Sequence, residues 1–158
     1  KRQEQARKAH WFTSGEEPGL SAIESILETL HLKAHRLRDS ERTGYHTAAV
    51  LASNGLVALA SWGETLMPGQ KLSPLLPLME GTLNNLKNLG TEKSLTGPVA
   101  RGDAQVVADH LSHLRSLHPE LLDGYRSLSK ELIRIKERSH APLPSQQKDA
   151  LLGVLDEE

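Results

Sequence analysis

His46, Ser53 and Asn54 lie in one helical run and carry side chains suited to polar chemistry. An imidazole titrates near neutrality, so His46 can give or take a proton beside a reacting oxygen. The Asn54 carboxamide can hold a carbonyl by hydrogen bonding, and Ser53 adds a hydroxyl. Steps of seven and eight residues place Ser53 and Asn54 about two turns beyond His46, on roughly the same stripe of a 3.6-residue helix. A plainer reading is open for the same residues. His46 is then a partly exposed residue near a helix start, and Asn54 a satisfied contact between helices.

A second constellation joins Thr96-Gly97-Pro98 to Arg101-Gly102-Asp103. Gly97 and Gly102 free the backbone, Thr96 offers a hydroxyl, and the Arg101 fork can hold a carboxylate bidentately. Asp103 would cap the following helix and so compete with any anion for its N–H groups. The alternative is a rigid loop in which Arg101 pairs with a carboxylate such as Asp103 or Glu80. Arg101-Gly102-Asp103 is also an adhesion tripeptide, but three residues are a weak signal and nothing else points outside the cell. His110, His113 and His118 lie close in sequence. A metal site needs three or four ligands, so these read as residues at the edge of a helix face.

Those residues must be positioned by elements that the pattern predicts. Residues 11–14 read as a strand bounded by Gly15. Pro18 opens a helix whose Ile23, Ile26, Leu27 and Leu30 mark one buried face. Residues 32–37 alternate apolar and polar side chains and read as a second strand, giving a βαβ unit with parallel pairing. Two parallel strands make a poor sheet, so the unit reads as the tail of a larger α/β domain. From Asp39 onward only helices are expected. The first, capped by Asp39 or Ser40, runs to about Met67 and ends at Pro68-Gly69.

That helix is apolar or small nearly all round from Ala48 to Ala60, which places it centrally or at a subunit interface. Gly44, Gly55 and Gly63 would let neighbouring helices approach closely. The second helix has Ser73 as N-cap, Pro74 at its first position and Gly90 as its stop, with Leu75, Leu78, Met79, Leu83 and Leu86 on a buried side. A possible helical turn follows Thr91. Asp103 caps a third helix facing inward through Val107, Leu111 and Leu114. A fourth begins at His118-Pro119-Glu120 and repeats Leu121, Leu122, Tyr125, Leu128, Leu132 and Ile135. After a linker at 141–144, Ser145 caps a last helix with Leu151, Leu152 and Leu155. The fold class is mainly α: a helical bundle over 39–158 preceded by a βαβ remnant over 1–38.

Composition bounds the function. The 158 residues are enough for a self-sufficient core. Aromatics are only 3%, so leucine and alanine must fill it. A net charge of −1 gives no footprint for nucleic acid. The one basic cluster, Lys1, Arg2, Arg7 and Lys8, reads as a solvated helix end. Without cysteine there is no disulfide, thiolate metal site or cysteine nucleophile, which fits a cytoplasmic setting. No apolar run is long enough to span a membrane, and no signal-peptide core is present. Neither Gly-x-Gly-x-x-Gly nor a phosphate loop occurs, so the chain carries no dinucleotide fingerprint. It begins at Lys1 rather than Met, which points to a piece of a longer protein.

The stretch Tyr-His-Thr-Ala-Ala-Val-Leu-Ala-Ser-Asn at 45–54, the glycine- and alanine-rich run after it, and Leu-Thr-Gly-Pro-Val-Ala-Arg-Gly-Asp at 95–103 carry a resemblance. Together they resemble the C-terminal helical domain of a family of Rossmann-like proteins assigned as oxidoreductases, usually labelled a domain of unknown function. Its distant relatives are ketopantoate reductase and pyrroline-5-carboxylate reductase. The match covers roughly residues 11 to 155. It implies a bundle similar to the C-terminal domain of 6-phosphogluconate dehydrogenase-like proteins, which typically dimerises through such helices. It also implies a substrate-side and dimerisation domain acting on a small carboxylated carbonyl or imine compound. NAD or NADP would be bound by the missing Rossmann half, and no cofactor by this chain, which alone would be inert. His46 would be the proton donor and Asn54 the group holding the carbonyl, with Ser53, Thr96, Gly97 and Arg101 on the substrate. Ketopantoate reductases use a lysine on the matching helix, whereas this sequence has none from Thr43 to Met67. The alternative is a non-catalytic helical interaction domain whose Rossmann partner senses a nucleotide. The expected partners are a second copy of the chain and a small molecule, with neither nucleic acid nor membrane.

Overall fold

The structure, a computed structural model, describes residues 9–69 and 71–157. The basic cluster Lys1, Arg2, Arg7 and Lys8 lies outside the described residues. The chain divides into two compact units, 1–60 and 61–158.

In the first unit, β1 (His10–Thr13) and β2 (Lys33–Arg36) pair in parallel, His10 opposite Lys33 and Thr13 opposite Arg36. Between them runs α1 (Gly19–Thr29), which Pro18 precedes as N-cap. Alternation along β1 sends Trp11 and Thr13 to one face and His10 and Phe12 to the other. Thr13 is buried, and its hydroxyl donates to Glu24 of α1 at 3.2 Å. On the opposite face His35 stacks between His10 and Phe12, with centroids 4.8 and 5.1 Å away. His10 Nδ1 and His35 Nε2 lie 2.6 Å apart, so one ring donates to the other. The buried face expected for α1 is corrected. Leu20 and Leu27 are buried, whereas Ile23, Ile26 and Leu30 are exposed. Two short strands cover only part of an amphipathic helix.

The next helical stretch joins α2 (Asp39–Val50), a π-helical turn (Leu51–Gly55) and α3 (Leu56–Leu66). Its N-cap is Arg38 rather than Asp39 or Ser40. The Glu41 carboxylate reaches back to accept from the Arg38 backbone N–H at 2.9 Å and also pairs with its guanidinium. None of its residues is buried, and Leu51 and Val57 are each 68% exposed. A Cβ added at Gly44 or Gly55 would meet nothing within 4 Å, so among the described residues no neighbour uses those gaps. Hydroxyls along the helices bond back onto their own turns. Thr47 donates to Thr43 O at 2.8 Å, Thr65 to Ser61 O at 3.0 Å, and Thr82 to Leu78 O at 2.9 Å.

The second unit contains α4 (Leu76–Ser94), α5 (Pro98–Arg101), α6 (Ala104–Leu117), a 3₁₀ turn (Pro119–Leu121), α7 (Leu122–Arg138) and α8 (Ser145–Asp156). Its core joins Val99, Val107, Leu111, Ile133, Leu143, Leu151 and Leu155. Val107, Leu111 and Leu114 are buried, as their spacing predicts. Gly63 lies against Leu75, where an added Cβ would come within 2.7 Å of Cδ1.

Several sequence expectations are corrected here. α4 starts at Leu76 with Pro77 near its beginning, so Ser73 and Pro74 form the turn before it. Leu78, Leu83 and Leu86 are exposed and Leu75 and Met79 half-buried, so among the described residues α4 has no buried side. Gly90 does interrupt the helix at φ 75, with a further turn over 91–94. On α7 the innermost positions are Ser129 and Ile133, while Leu128 is exposed. Ser145 is the first residue of α8 rather than its cap, which is Pro144.

Candidate functional site

β1 and β2 end at Thr13 and Arg36, and Ser14 and Leu37 follow at their carboxyl ends. α2 begins two residues after Leu37. This short connection brings its first two turns over the strand ends. A cleft of about 600 Å³ opens there, lined by Phe12, Ser14, Leu37, Asp39, Arg42, Thr43, Tyr45 and His46. Ligands of parallel α/β sheets collect outside the carboxyl ends of the strands. Phe12 and Tyr45 meet at a centroid distance of 4.1 Å and form an aromatic wall. His46 is therefore placed in a cleft with a hydroxyl, a guanidinium and a carboxylate nearby. Arg42 stands one turn before it, at the i, i+4 spacing that puts two side chains on one face. Arg42 was missed as a site residue, although that spacing was its signal.

Ser53 and Asn54 belong to the π-helical turn. Such turns bond i→i+5 and advance less per residue than an α-helix. On an ideal α-helix Asn54 stands about 80° from His46 and Ser53 about 20° to the other side. The slower winding draws Asn54 back toward the line of His46 and carries Ser53 away from it. Ser53 also donates its hydroxyl to Ala49 O at 2.7 Å, so it has no free proton to offer a ligand in this state.

Thr96, Gly97 and Arg101 lie in the second unit. Gly97 adopts φ 89 and Gly102 φ 73, conformations that favour glycine and that turn the chain sharply at both ends of α5. A Cβ at Gly102 would collide with Gln147 of α8. Asp103 caps α6 as predicted, accepting from Val106 N–H at 3.3 Å. Its carboxylate is thereby spent locally, and among the described residues Arg101 pairs with neither Asp103 nor Glu80. Thr96 lines a cavity of about 320 Å³ with Thr82, Leu86, Ser94, Leu132 and Ile135, among others. Neither Gly97 nor Arg101 lines it, so the structure does not gather this constellation around one cavity.

Sequence reading also missed an ionic clasp. Arg36 bridges Glu24 and Glu17, and Thr13 joins through Glu24. The Arg36 guanidinium holds the Glu24 carboxyl below its usual range, while for Glu17 the Ser21 hydroxyl is the larger cause and Arg36 the lesser. Arg36 is pushed up in turn, first by Glu24. In the second unit His110 Nδ1 lies 2.7 Å from Tyr125 Oη, and burial pushes the Tyr125 phenol up. No group of three or more metal-ligating side chains occurs among the described residues.

The residues also bear on a dinucleotide. A pyrophosphate needs bare N–H groups at a helix N-terminus after a glycine turn. At the start of α1 the Ser21 N–H is already taken by Glu17 Oε2 at 3.2 Å, and Glu16 adds a second negative charge. The turn after β1 does not fit that group.

The family model described as "Domain of unknown function (DUF2520)" matches residues 9–132. The chain is similar to a solved structure described as the crystal structure of protein TM1727 from Thermotoga maritima, with 31% identity and a TM-score of 0.74. The similarity covers 86% of this chain and 56% of that one, so the chain spans little more than half its length. No curated protein matches the chain. Among the described residues no helix is long and apolar enough to cross a membrane.

Proposed function

The chain belongs to the DUF2520 family, and from that premise we propose that it is the substrate-side and dimerisation region of an NAD(P)-dependent oxidoreductase. Its substrate in this reading is a small carboxylated carbonyl or imine compound. The observation that carries the reading is the place of His46, on a cleft at the carboxyl ends of two parallel strands. There the imidazole holds the proton that a carbonyl oxygen takes up on reduction, whereas Asn54, two turns farther along the helix, does not line that cleft. NAD or NADP belongs to chain outside these residues, and no residue here is assigned to it. The exposed Trp11, Phe12, Ile23 and Ile26 support a larger α/β layer over this unit. A cytoplasmic setting goes with the absence of cysteine.

The test is NAD(P)H consumption by the full-length protein over a panel of 2-oxo acids and cyclic imines. His46→Ala is expected to lower the rate by about 100-fold or more. Turnover unchanged by that substitution, or no turnover across the panel, would count against the reading. The exposed apolar helices α3 and α4 favour a second reading, a non-catalytic dimerisation domain of a nucleotide-sensing protein. Tight NADPH binding by the full-length protein without any turnover would select it.

A further inference from the structure

We infer that Arg42 is the carboxylate fork of the cleft at the strand ends, so that its ligand is a small 2-oxo monocarboxylate with its keto oxygen against His46. The inference rests on the oxidoreductase reading for the role of that oxygen, but the binding site itself stands on other observations. Arg42, Thr43, Ser14 and His46 line one cleft of about 600 Å³. The arginines around it differ in their commitments. Arg36 is held by Glu24 and Glu17, and Arg38 by Glu41. Because Glu41 closes back onto Arg38, it is not available to Arg42 on the same turn. Among the described residues Arg42 makes no ion pair, and its guanidinium keeps its donors for an incoming anion.

Geometry then limits what the anion can be. A guanidinium presents two parallel N–H groups that match a carboxylate, a fit an ammonium cannot copy. Arg42 and His46 are neighbours on one helix face, with Cβ atoms about 5–6 Å apart at this spacing. A carboxylate on Arg42 is therefore on the same face and in the same cleft as the imidazole, and the smallest ligand that offers both a carboxylate and a carbonyl carries them on adjacent carbons. Asp39, three residues before Arg42, also lines the cleft. Its negative charge opposes a second carboxylate, so a monoanion is selected over a dianion. Arg101, the fork expected from sequence, is no part of this cleft.

The experiment is calorimetric titration of the full-length protein with pyruvate, and with acetone and 2-oxoglutarate as comparisons. Pyruvate is expected to bind saturably, acetone not to bind, and 2-oxoglutarate to bind more weakly than pyruvate. Arg42→Gln should weaken pyruvate at least tenfold, with Arg42→Lys between the two. Arg42 is exposed on a helix, and both replacements are good helix formers, so circular dichroism should show an unchanged fold. No saturable pyruvate binding, equal binding by Arg42→Gln, equal binding of acetone, or tighter 2-oxoglutarate binding overturns the inference. NADPH consumption separates it from the parent reading. Turnover of 2-oxo acids that Arg42→Gln leaves unchanged would retire the fork and keep the reductase. Arginine-dependent pyruvate binding without turnover of any 2-oxo acid would retire the reductase and keep the anion site.

Discussion

Arg36 grips Glu24 with both carboxylate oxygens engaged, Nε on Oε1 at 3.0 Å and Nη2 on Oε2 at 2.9 Å. The contact ties β2 to α1, and the same Nη2 reaches Glu17 Oε1 at 2.9 Å before the helix begins. Thr13 of β1 adds its hydroxyl to Glu24, so every element of the βαβ unit meets at one carboxylate.

A pH dependence follows from that clasp. The folded state holds Glu24 and Glu17 below the ordinary value of 4.5. A carboxyl lowered on folding stabilises above its unfolded value, and that stability is lost as pH falls through the folded one. The clasp's contribution to the first unit should therefore weaken as pH drops below about 4.5. Both carboxylates are partly exposed, so added salt should blunt the effect. Thermal melts followed at His10 or Trp11 by NMR should show this slope, and Glu24→Gln should flatten it. An unaltered slope in that variant would show that the clasp does not contribute.

In the second unit the core makes a sharper demand. Leu151 is 0% exposed, and truncation there leaves a cavity in the core. Leu151→Ala should cost about 2–5 kcal/mol in urea unfolding. A loss below about 1 kcal/mol would mean that the site collapses around the missing atoms.

The reverse change is informative at Gly124. A Cβ there would overlap the Trp62 indole, so α7 and α3 approach through a missing side chain. Gly124→Ala improves helix propensity by about 1 kcal/mol, yet overpacking costs about 1–3 kcal/mol. Net destabilisation is expected, with a change in Trp62 fluorescence. A more stable variant with unchanged fluorescence would contradict the packing.

How much of this was legible from the letters depends on whether a neighbour is local. Asp103 over Val106 and the stop at Gly90 were readable because a cap or a breaker acts within one turn. The periodicity of Val107, Leu111 and Leu114 was readable because other helices of the same unit supply their cover. The same logic failed for Ile23, Ile26, Leu78 and Leu83. Periodicity records a face that needs cover and is silent on whether this chain provides it. Arg38 replaced Asp39 as N-cap because Glu41 could satisfy the N-terminal amide from inside the helix. At the site His46 was legible by residue type. The π-helical turn was not, because its alanine and glycine neighbours have no pattern distinct from an ordinary helix. The Arg36 clasp joins residues 12 and 19 positions apart, beyond any local rule.

Assembly is the next testable matter. Leu51, Val57 and Leu78 are each 68% exposed, well above what a solvated helix needs. A homodimer burying more than about 1,200 Å² through these helices is expected. Ala58 is exposed within the chain, so Ala58→Arg should leave the fold intact and split the dimer. Light scattering that reports a monomer for the unmodified chain at tens of micromolar would end the proposal.

For the cofactor, the occupied N–H groups at the start of α1 predict that this chain alone binds neither NADH nor NADPH. Calorimetry should show no saturable heat at roughly 100 μM, equivalent to about −5.5 kcal/mol. Saturable binding in that range would show a nucleotide site made by these residues.

The threonines of the exposed helices change how that surface would meet a partner. Thr47, Thr65 and Thr82 each donate the hydroxyl to their own helix four residues back. A proton engaged in this way need not be stripped of water when another surface arrives. What an approaching helix then senses at these positions is mainly a methyl group. The wettability of the surface is lower than its amino-acid letters suggest. Replacing Thr65 by valine keeps the shape and the methyl while leaving the Ser61 carbonyl with its helical partner, so the chain should hardly register the exchange.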